Sequence, residues 1–350
     1  MSEFRQDPIT GRWVIVAEGR SARPNEYATR PPVSPPGDCP FCEGHESWTP
    51  PEVAADRAPG LPADGPGWAV RAIPNKFPTL GPDVRPAPAA ADPAEGERRP
   101  GSGVHEVIIV SPEHTPALAD HPSEQVGRVL RVLRERLRTL ARSDDIVALV
   151  AFENSGPESG GTLFHPHLQV VALPKVPPLL REEADGLARF SREHSGTCGY
   201  EWVEAEERAR RAWVVADRPE FLAFAPFASE HPFEVRVLPH RHAGSFSEVS
   251  DAEVDALAEL LPALLRALQT VAPNASYNLV TRSFSAHRRE AREYHWHLDL
   301  LPRLVRPDGF EVGGGIAVNP VSPESAAEAF RAALSRPHGA PPSDPSGPKI

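Results

Sequence analysis

The sequence predicts an α+β fold made of two related halves, each combining strands with a helix. One observation behind this prediction is that two stretches of the chain repeat the same order of strand-like and helical patterns. Another is that histidines recur at nearly constant spacing: 128 positions separate His114 from His242, and 130 separate both His165 from His295 and His167 from His297. The agreement of three pairs indicates an internal duplication.

The first half contains an ordered series of apolar patterns. An apolar run begins at residue 107, and a helical pattern with one apolar stripe follows over about 123–142. A strand pattern then covers 146–152, and a second one covers 165–174. We therefore expect an N-terminal half, residues 1–178, that ends on a histidine-bearing strand.

The second half repeats this order. A strand pattern at 233–242 precedes a helix whose start is marked by the capping-box pair Ser250 and Glu253. The half closes with a histidine-bearing strand over 295–302. We expect a C-terminal half at 179–336, followed by a proline-rich, disordered tail at 337–350.

Composition narrows the functional class. Hydrophobic residues make up 40% of the 350 residues, which is enough for a folded core. The net charge of −11 argues against a nucleic-acid partner, which would select a basic surface. No apolar run approaches the roughly 20 residues of a membrane span, and the first residues do not resemble a signal peptide. We expect a cytoplasmic protein with no membrane partner.

The strand at 165–174 begins with an unusual polar face. Because side chains alternate along a strand, His165, His167 and Gln169 would lie together. The glycine-containing loop 153–162, directly before this strand, can present backbone N–H groups to a phosphate. A solvated face that happens to hold two histidines is the simpler alternative. The loop favours a nucleophilic histidine instead.

Cys39 and Cys42 form the second feature. Two thiolates at this spacing provide half of a tetrahedral zinc site, and histidines would have to supply the rest. His114 and His165 are candidates, which leaves His167 free. A thioredoxin-like redox pair is the alternative, but the proline-rich surroundings lack its strand-to-helix context.

Two weaker patterns complete the candidate residues. Arg20 and Arg23 could hold a diphosphate, although most arginine pairs are simply solvated. A second metal near His295 and His297 is conceivable, and histidines left over from the duplication are the alternative. Further residues that could contribute to this second site are Cys198, Glu201, His242 and Asp299.

Together these features resemble the galactose-1-phosphate uridylyltransferase family, the transferase branch of the histidine-triad superfamily. The resemblance runs from about Arg5 to Leu334. Its main anchors are Cys39-Pro-Phe-Cys42, Ser111-Pro-Glu-His114, Phe152-Glu-Asn-Ser-Gly156 and His165-Pro-His-Leu-Gln169. It implies histidine-triad-like halves, a homodimer, and a role in galactose and carbohydrate metabolism.

The resemblance also implies a role for each candidate residue. His167 would be the nucleophile, Gln169 would hydrogen-bond the transferred phosphoryl group, and one zinc ion would be bound by Cys39, Cys42, His114 and His165. Phe310 and Val312 would contact substrate in the partner subunit. The residues implied to bind the nucleotide and its phosphates are Arg20, Arg23, Asn75, Phe77, Asn154, Gly160, Gly161 and Thr162.

The implied activity is nucleotidyl transfer with ping-pong kinetics through a nucleotidyl-His167 intermediate, in which UDP-glucose and a hexose 1-phosphate exchange the uridylyl group. The sugar end departs from the family, because glycines stand at 309 and 313–315, near where the best-known members have lysine, tyrosine and glutamate. Other segments are similar to plant ADP-glucose phosphorylase, which implies adenylyl transfer to phosphate as the alternative. A zinc-stabilised nucleotide-binding protein without turnover, and a hydrolase, are further alternatives; Gln169 argues against the hydrolase.

Overall fold

The computed structural model describes residues 2–22, 39–82, 101–114 and 117–336. Within them, ten strands form one sheet in which every neighbouring pair is antiparallel. In chain order these strands are β3 (Ala54–Arg57), β4 (Trp68–Pro74), β5 (Val104–Ile109), β6 (Ala148–Ser155), β7 (His167–Leu173), β8 (Val214–Asp217), β9 (Phe221–Phe224), β10 (Val235–Pro239), β11 (Tyr277–Phe284) and β12 (Leu298–Pro302).

The order of strands across this sheet reflects the duplication. From one edge to the other it is β3-β4-β5-β7-β6-β11-β12-β10-β9-β8, so each half of the chain contributes five adjacent strands. The series β5-β7-β6 is mirrored by β10-β12-β11 about the pair β6 and β11, which matches eight residues of each strand. The α+β class and the two related halves predicted from the sequence are confirmed.

A smaller sheet joins the two ends of the chain. The strands β1 (Glu3–Gln6) and β2 (Trp13–Val16) form an antiparallel pair. The strand β13 (Ala317–Asn319) adds to β2 in parallel. Arg5 reinforces this connection through an ion pair with Glu324 at 3.1 Å. The first residues of the chain therefore pack against its C-terminal half.

Six α-helices complete the described architecture. They are α1 (Ser123–Leu140), α2 (Pro178–Glu193), α3 (Gly199–Arg210), α4 (Asp251–Val271), α5 (Gly309–Gly314) and α6 (Pro323–Leu334). The predicted capping box of α4 is present, because Glu253 N donates to Ser250 Oγ and Ser250 N donates to Glu253 Oε2. None of these helices combines the length and the apolar character that crossing a bilayer requires.

One face of the main sheet belongs to the core and the other carries polar side chains. Leu168, Leu279 and Leu298 lie on the core face, where they line a small internal cavity together with side chains of α1 and α4. Since side chains alternate along a strand, the first and third residues of β7, His167 and Gln169, lie on the opposite face. The fold therefore directs the candidate chemistry away from α1 and α4.

The structure differs from the sequence prediction at several elements. It contains β11, the edge strands β3 and β8, and their neighbours β4 and β9, none of which was predicted from the sequence. The predicted strand at 165–174 begins only at His167, since Pro166 has no N–H group to donate to a ladder. The predicted tail at 337–350 lies outside the described residues.

Candidate functional site

Cys39, Cys42, His114 and His165 come together on one side of the main sheet. Their ligand atoms all lie within 4.8 Å of one another. Cys39 Sγ is 3.5 Å from His165 Nδ1, and Cys42 Sγ is 3.5 Å from His114 Nδ1. Two thiols and two imidazoles form a donor set suited to a metal ion with tetrahedral coordination. This Cys/His cluster could therefore hold a metal.

Hydrogen bonding orients His165 toward the cluster. Its Nε2 atom lies 2.8 Å from the Ser111 carbonyl oxygen, so the Nε2–H group donates there and the Nδ1 lone pair faces the thiols. Burial lowers the pKa of His165 to about 4, which keeps the ring neutral. Burial and the neighbouring Cys39 raise the pKa of Cys42 to about 11, so this thiol is costly to deprotonate. A bound cation offsets that cost.

His167 follows the cluster as the first residue of β7. Its Nδ1 atom lies 2.8 Å from the carbonyl oxygen of His165, so the Nδ1–H group donates to that backbone atom. The lone pair is then on Nε2, for which no described residue provides a hydrogen-bond partner. Burial lowers the pKa of His167, and the ring of Phe41 packs edge-on against it at 5.1 Å. The imidazole is thus neutral and oriented, and the lone pair on its Nε2 atom remains available.

Gln169 is oriented by a histidine that the sequence analysis did not select. The N–H group of Thr79 donates to His105 Nδ1 at 3.1 Å, which assigns the ring proton of His105 to Nε2. That Nε2–H group donates to Gln169 Oε1 at 3.0 Å. With its oxygen engaged, the Gln169 amide presents its NH₂ group as the donor, on the same sheet face as His167.

The loop between β6 and β7 is shaped by glycines. Gly160 has a φ of +85°, a conformation that glycine adopts without strain. Gly161 packs so closely that an added Cβ would lie 2.8 Å from the Gly156 carbonyl oxygen and 2.9 Å from that of Asn154. This close packing explains why the loop requires glycine, and it leaves backbone atoms on the surface.

Strand β11 of the second half supports this loop. Asn278 Nδ2 donates to Asn154 Oδ1 at 2.7 Å and to the Ser159 carbonyl oxygen at 3.0 Å. Ser276 Oγ accepts from the N–H group of Glu158 at 3.3 Å. Since Asn154 and Asn278 are partners in the sheet register, their side chains lie on the same face. The glycine loop is therefore held by both halves of the chain.

Comparison with known proteins assigns the family. A family model described as galactose-1-phosphate uridyl transferase, N-terminal domain, matches residues 1–177. The chain belongs to the galactose-1-phosphate uridylyltransferase family. It is also 31% identical over 334 residues to the ADP-glucose phosphorylase of Arabidopsis thaliana, covering 94% of this chain and 92% of that protein. The family assignment identifies the chain as an enzyme of nucleotidyl transfer.

A further relative and a solved structure support the family assignment over nearly the whole chain. The galactose-1-phosphate uridylyltransferase of Thermotoga maritima is 26% identical over 340 residues, covering 95% of this chain and 98% of that protein. A crystal structure of Arabidopsis thaliana ADP-glucose phosphorylase with bound ADP-glucose superposes with a TM-score of 0.80 at 30% identity, covering 95% of this chain and 98% of that chain. The similarity to a uridylyltransferase and to a phosphorylase, both suggested by the sequence motifs, is confirmed.

The other residues implied by resemblance to the uridylyltransferases differ in their position relative to the site and in their exposure. Asn75 lies beside the site, with its Nδ2 atom 3.1 Å from His105 Nε2, and Thr162 is exposed. Arg20 forms an ion pair with Asp308 at 3.1 Å. Arg23 lies outside the described residues. The remaining three side chains are exposed, at fractions of 83% for Phe77, 52% for Phe310 and 76% for Val312.

A second Cys/His cluster occupies the equivalent position in the C-terminal half of this uridylyltransferase-family fold. It consists of Cys198, His242 and His295, with Cys198 Sγ 3.7 Å from His295 Nδ1. His295 Nε2 donates to the Pro239 carbonyl oxygen at 2.9 Å, which repeats the arrangement of His165. Glu201 Oε1 lies 3.6 Å from His242 Nδ1 and could add a fourth ligand. The sequence pattern near His295 therefore corresponds to a real cluster.

His297, the counterpart of His167 in the C-terminal half of this uridylyltransferase-family chain, lies in a different environment. It is 1% exposed, and its Nε2 atom lies 3.2 Å from Glu183 Oε1 and 3.5 Å from Asp299 Oδ2. Asp299 is in turn bonded to Arg236 at 2.7 Å. Buried charges therefore enclose the nitrogen that corresponds to the free Nε2 of His167. His297 and Asp299 lie outside the second Cys/His cluster.

Sequence reasoning missed His105, Asn278 and Ser276. His105 lies two positions before Val107 in a strand pattern, so the two side chains share a sheet face. This signal could have placed His105 near the site. Its contact with Gln169 depends on the register between β5 and β7, which Val107 and Gln169 set by pairing. Asn278 lies in β11 and Ser276 directly before it, where the sequence predicted no strand. All three act through pairing of strands that are distant in sequence.

Proposed function

We propose that the protein transfers a nucleotidyl group from a nucleoside-diphosphate sugar to a phosphate-bearing acceptor, with His167 as the nucleophile. The observation that carries this proposal is the orientation of His167, whose Nδ1–H group is bonded to the His165 carbonyl oxygen while Nε2 keeps its lone pair. A neutral imidazole in this tautomer attacks phosphorus without first losing a proton. Proximity to Gln169 and the glycine loop supplies donors for the phosphoryl oxygens.

The reaction takes two balanced steps. First, His167 Nε2 forms a bond to the α-phosphorus, and the bond between that phosphorus and the bridging oxygen breaks. The sugar 1-phosphate leaves with the electron pair. In the second step an oxygen of the acceptor phosphate attacks the nucleotidyl-histidine, and the imidazole leaves as a neutral group. The Gln169 NH₂ group, oriented by His105, stabilises charge on the transferred phosphoryl group in both steps.

Zinc is the metal we assign to Cys39, Cys42, His114 and His165. The two soft thiols and two neutral imidazoles match its preferred donors, and the Ser111 carbonyl orients His165 as second-sphere groups do in zinc sites. Four protein ligands leave no open position, so zinc there supplies structural stability. A second ion at Cys198, Glu201, His242 and His295 is part of the same proposal.

Two pairs of donor and acceptor fit this chemistry. Uridylyl exchange between UDP-glucose and a hexose 1-phosphate is the reaction that the family name describes. Adenylyl transfer from ADP-glucose to phosphate is supported by the 31% identity to, and TM-score of 0.80 with, a plant ADP-glucose phosphorylase. The glycines at 309 and 313–315, near where the best-known uridylyltransferases have charged and aromatic residues, also favour the second pair.

Intact-protein mass spectrometry separates these pairs. The protein is mixed with UDP-glucose or with ADP-glucose, without an acceptor, and the mass of the covalent adduct identifies the transferred nucleotide. His167→Ala should form no adduct while keeping its metal content and thermal midpoint. An adduct that persists in His167→Ala would refute the nucleophile. His297→Ala is the matched control, and it should still form the adduct under conditions in which it is folded.

Metal content tests the zinc assignment. Cys39→Ser replaces one thiolate ligand, so bound zinc measured by atomic emission should fall by about one equivalent, with a loss of thermal stability. His121→Ala, which changes a buried histidine outside both clusters, should retain the full zinc content. An unchanged zinc content in Cys39→Ser would contradict the assignment.

A homodimer completes the proposal. Phe310 and Val312 are exposed apolar residues on α5, and their described contacts include neither His167 nor Gln169. Such side chains can serve the site of a partner subunit. Light scattering should give twice the chain mass, and co-expression of His167→Ala with Val312→Asp should recover part of the activity that each variant lacks alone. The cytoplasmic location stays a prediction.

A further inference from the structure

A half-open cavity of about 220 Å³ lies at the far end of the C-terminal half, away from the glycine loop. Helix α3 forms one wall, and the segment from Gln6 to Ile9 and the ends of β8 and β9 form the others. None of its lining residues belongs to the His167 site. The volume corresponds to roughly seven water molecules, which is the size of a small organic molecule.

Aromatic side chains dominate this cavity. Its walls include Trp202, Trp213, Phe224 and Phe227, and most of the exposed lining is apolar. Two rings of this wall already carry cations of the protein. The guanidinium of Arg5 lies 4.8 Å from the centre of the Phe227 ring, and that of Arg210 lies 5.9 Å from the centre of the Trp213 ring. The wall therefore favours positive charge through the faces of its rings.

Glu207 is the polar group of the cavity whose buried oxygen lacks a partner. It is 4% exposed, and its Oε2 atom has no hydrogen-bond partner among the described residues. Arg210, whose charge acts on Glu207, is bonded to Glu206 at 3.0 Å. Burial raises the pKa of Glu207 to about 8, since nothing nearby compensates its ionisation fully. An unpaired buried carboxyl is costly, and a bound cation removes that cost.

The charges around the cavity select the sign of a ligand. Asp7, Glu206 and Glu207 line it together with Arg210 and Arg236. Arg210 is paired with Glu206 at 3.0 Å, so it is already engaged when Glu207 ionises. Arg236 is bonded to Asp299 at 2.7 Å, so it does not neutralise Glu207. A ligand with a single positive charge balances this set.

From these observations we infer that the cavity between α3 and the ends of β8 and β9 is a binding site for a small organic ammonium ion. The ammonium group pairs with Glu207, and its apolar body lies against Trp202, Trp213 and Phe227. Neither the nucleotidyl-transfer reaction nor either Cys/His cluster uses these residues. The site thus gives the protein a second, chemically different ligand.

Ligand-observed NMR titration of the full-length protein tests this inference. Benzylamine and benzyl alcohol have nearly the same shape, and only benzylamine carries the cation. At about pH 8, benzylamine should bind with a Kd about tenfold lower than that of benzyl alcohol, because the buried ion pair adds a charge-assisted hydrogen bond. Equal affinity for the two probes, or no saturable binding of benzylamine, overturns the inference.

Three variants locate the binding. Glu207→Gln keeps the shape of the side chain and should reduce the preference for benzylamine to less than about twofold. Glu204→Gln, a control on the same helix that does not line the cavity, should keep the preference. Val203→Phe fills the cavity and should abolish binding of both probes. A preference that survives in Glu207→Gln would show that the cation binds elsewhere.

Discussion

Single hydrogen bonds decide what each histidine of the site can do. A ring that donates from Nε2 to a backbone carbonyl, as His165 does to Ser111, directs Nδ1 toward the thiols. A ring that donates from Nδ1, as His167 does to His165, keeps Nε2 for chemistry. The two residues are neighbours on one chain segment and have the same side chain. Their different backbone partners therefore distinguish a ring that could bind a metal from the ring that we propose as the nucleophile.

His105 should influence transfer only through the orientation of Gln169. In His105→Ala the Gln169 Oε1 atom loses the N–H group that donates to it, so the amide can rotate. Donation from its NH₂ group to the phosphoryl group then becomes less favourable. We expect the rate of nucleotidyl-adduct formation to fall about tenfold, which corresponds to loss of about one hydrogen bond to a charged group. Rapid-quench measurement of adduct formation, with KM determined separately, checks this.

The control for His105 is His121, a buried histidine at another place in the same half. His121→Ala removes a buried side chain and should lower stability, but it should leave the rate of adduct formation unchanged. If Gln169→Ala in the His105→Ala background slows the reaction by the same factor as it does alone, the two residues act independently and the positioning role is wrong.

Glu153 should make the stability of the protein depend on pH. It faces the core beside Leu168, and burial raises its pKa to about 8 from an ordinary 4.5. The unfolded chain loses this proton near pH 4.5 while the folded chain keeps it. The free energy of unfolding therefore falls as pH rises from about 4.5 to about 8, by at most about 1.4 kcal/mol per pH unit from this residue.

Substitution isolates that contribution. In Glu153→Gln the stability change between about pH 5.5 and 7.5 should be smaller than in the unchanged protein by about 2 kcal/mol. Urea denaturation at both pH values measures it, and Glu259→Gln, on the exposed side of α4, provides the control. Equal pH dependence in the two glutamine variants would show that Glu153 is ionised in the folded protein.

At the scale of elements, β11 determines the shape of the glycine loop. Asn278 bonds the loop at Asn154 and Ser159, and its Oδ1 atom accepts from Arg303 Nε at 2.5 Å. Motifs predicted the loop and the members of the Cys/His cluster, because each motif can be recognised within a few residues, such as the pair Cys39 and Cys42. They did not predict the support from β11, since no local pattern specifies that β6 pairs with a strand more than 120 positions away.

Gly156 tests the contact between the loop and β11. It has a φ of +85°, and an added Cβ would collide with Ser276 Oγ. Gly156→Ala should lower kcat/KM at least tenfold, because the loop must move away from β11 to relieve the collision. The double variant Gly156→Ala with Ser276→Gly removes the obstructing side chain and should recover about threefold in a steady-state assay.

Gly60→Ala is the matched control for Gly156. Gly60 has a similar φ of +88° and no atom near the position of an added Cβ, so its substitution carries backbone strain without a collision. Its kcat/KM should stay unchanged. Failure of Ser276→Gly to recover any activity would mean that backbone strain, and not the contact with β11, accounts for the loss.

At the scale of the whole molecule, duplication has produced one sheet whose polar face differs between the two halves. In the N-terminal half the histidine after the Cys/His cluster is left with a free nitrogen. In the C-terminal half, α2 brings Glu183 to His297, and Arg236 and Asp299 complete a buried charge network. The equal spacing of the histidines predicted the duplication. It did not predict this difference, because Glu183 comes from a helix outside the repeated pattern.

The halves we propose, residues 1–178 and 179–336, should therefore fold together and not separately. Separation exposes all eight residues of β6 as an unpaired edge, and it removes β13 from β2. Calorimetry of the full chain should show one transition whose van't Hoff and calorimetric enthalpies agree. Fragment 1–178 alone should aggregate, whereas co-expression with 179–350 should give a soluble complex, because the cut removes only the first residue, Pro178, from α2. A cooperative transition from isolated 1–178 would show instead that the N-terminal half is an independent domain, and that pairing of β6 with β11 is a contact between two finished folds.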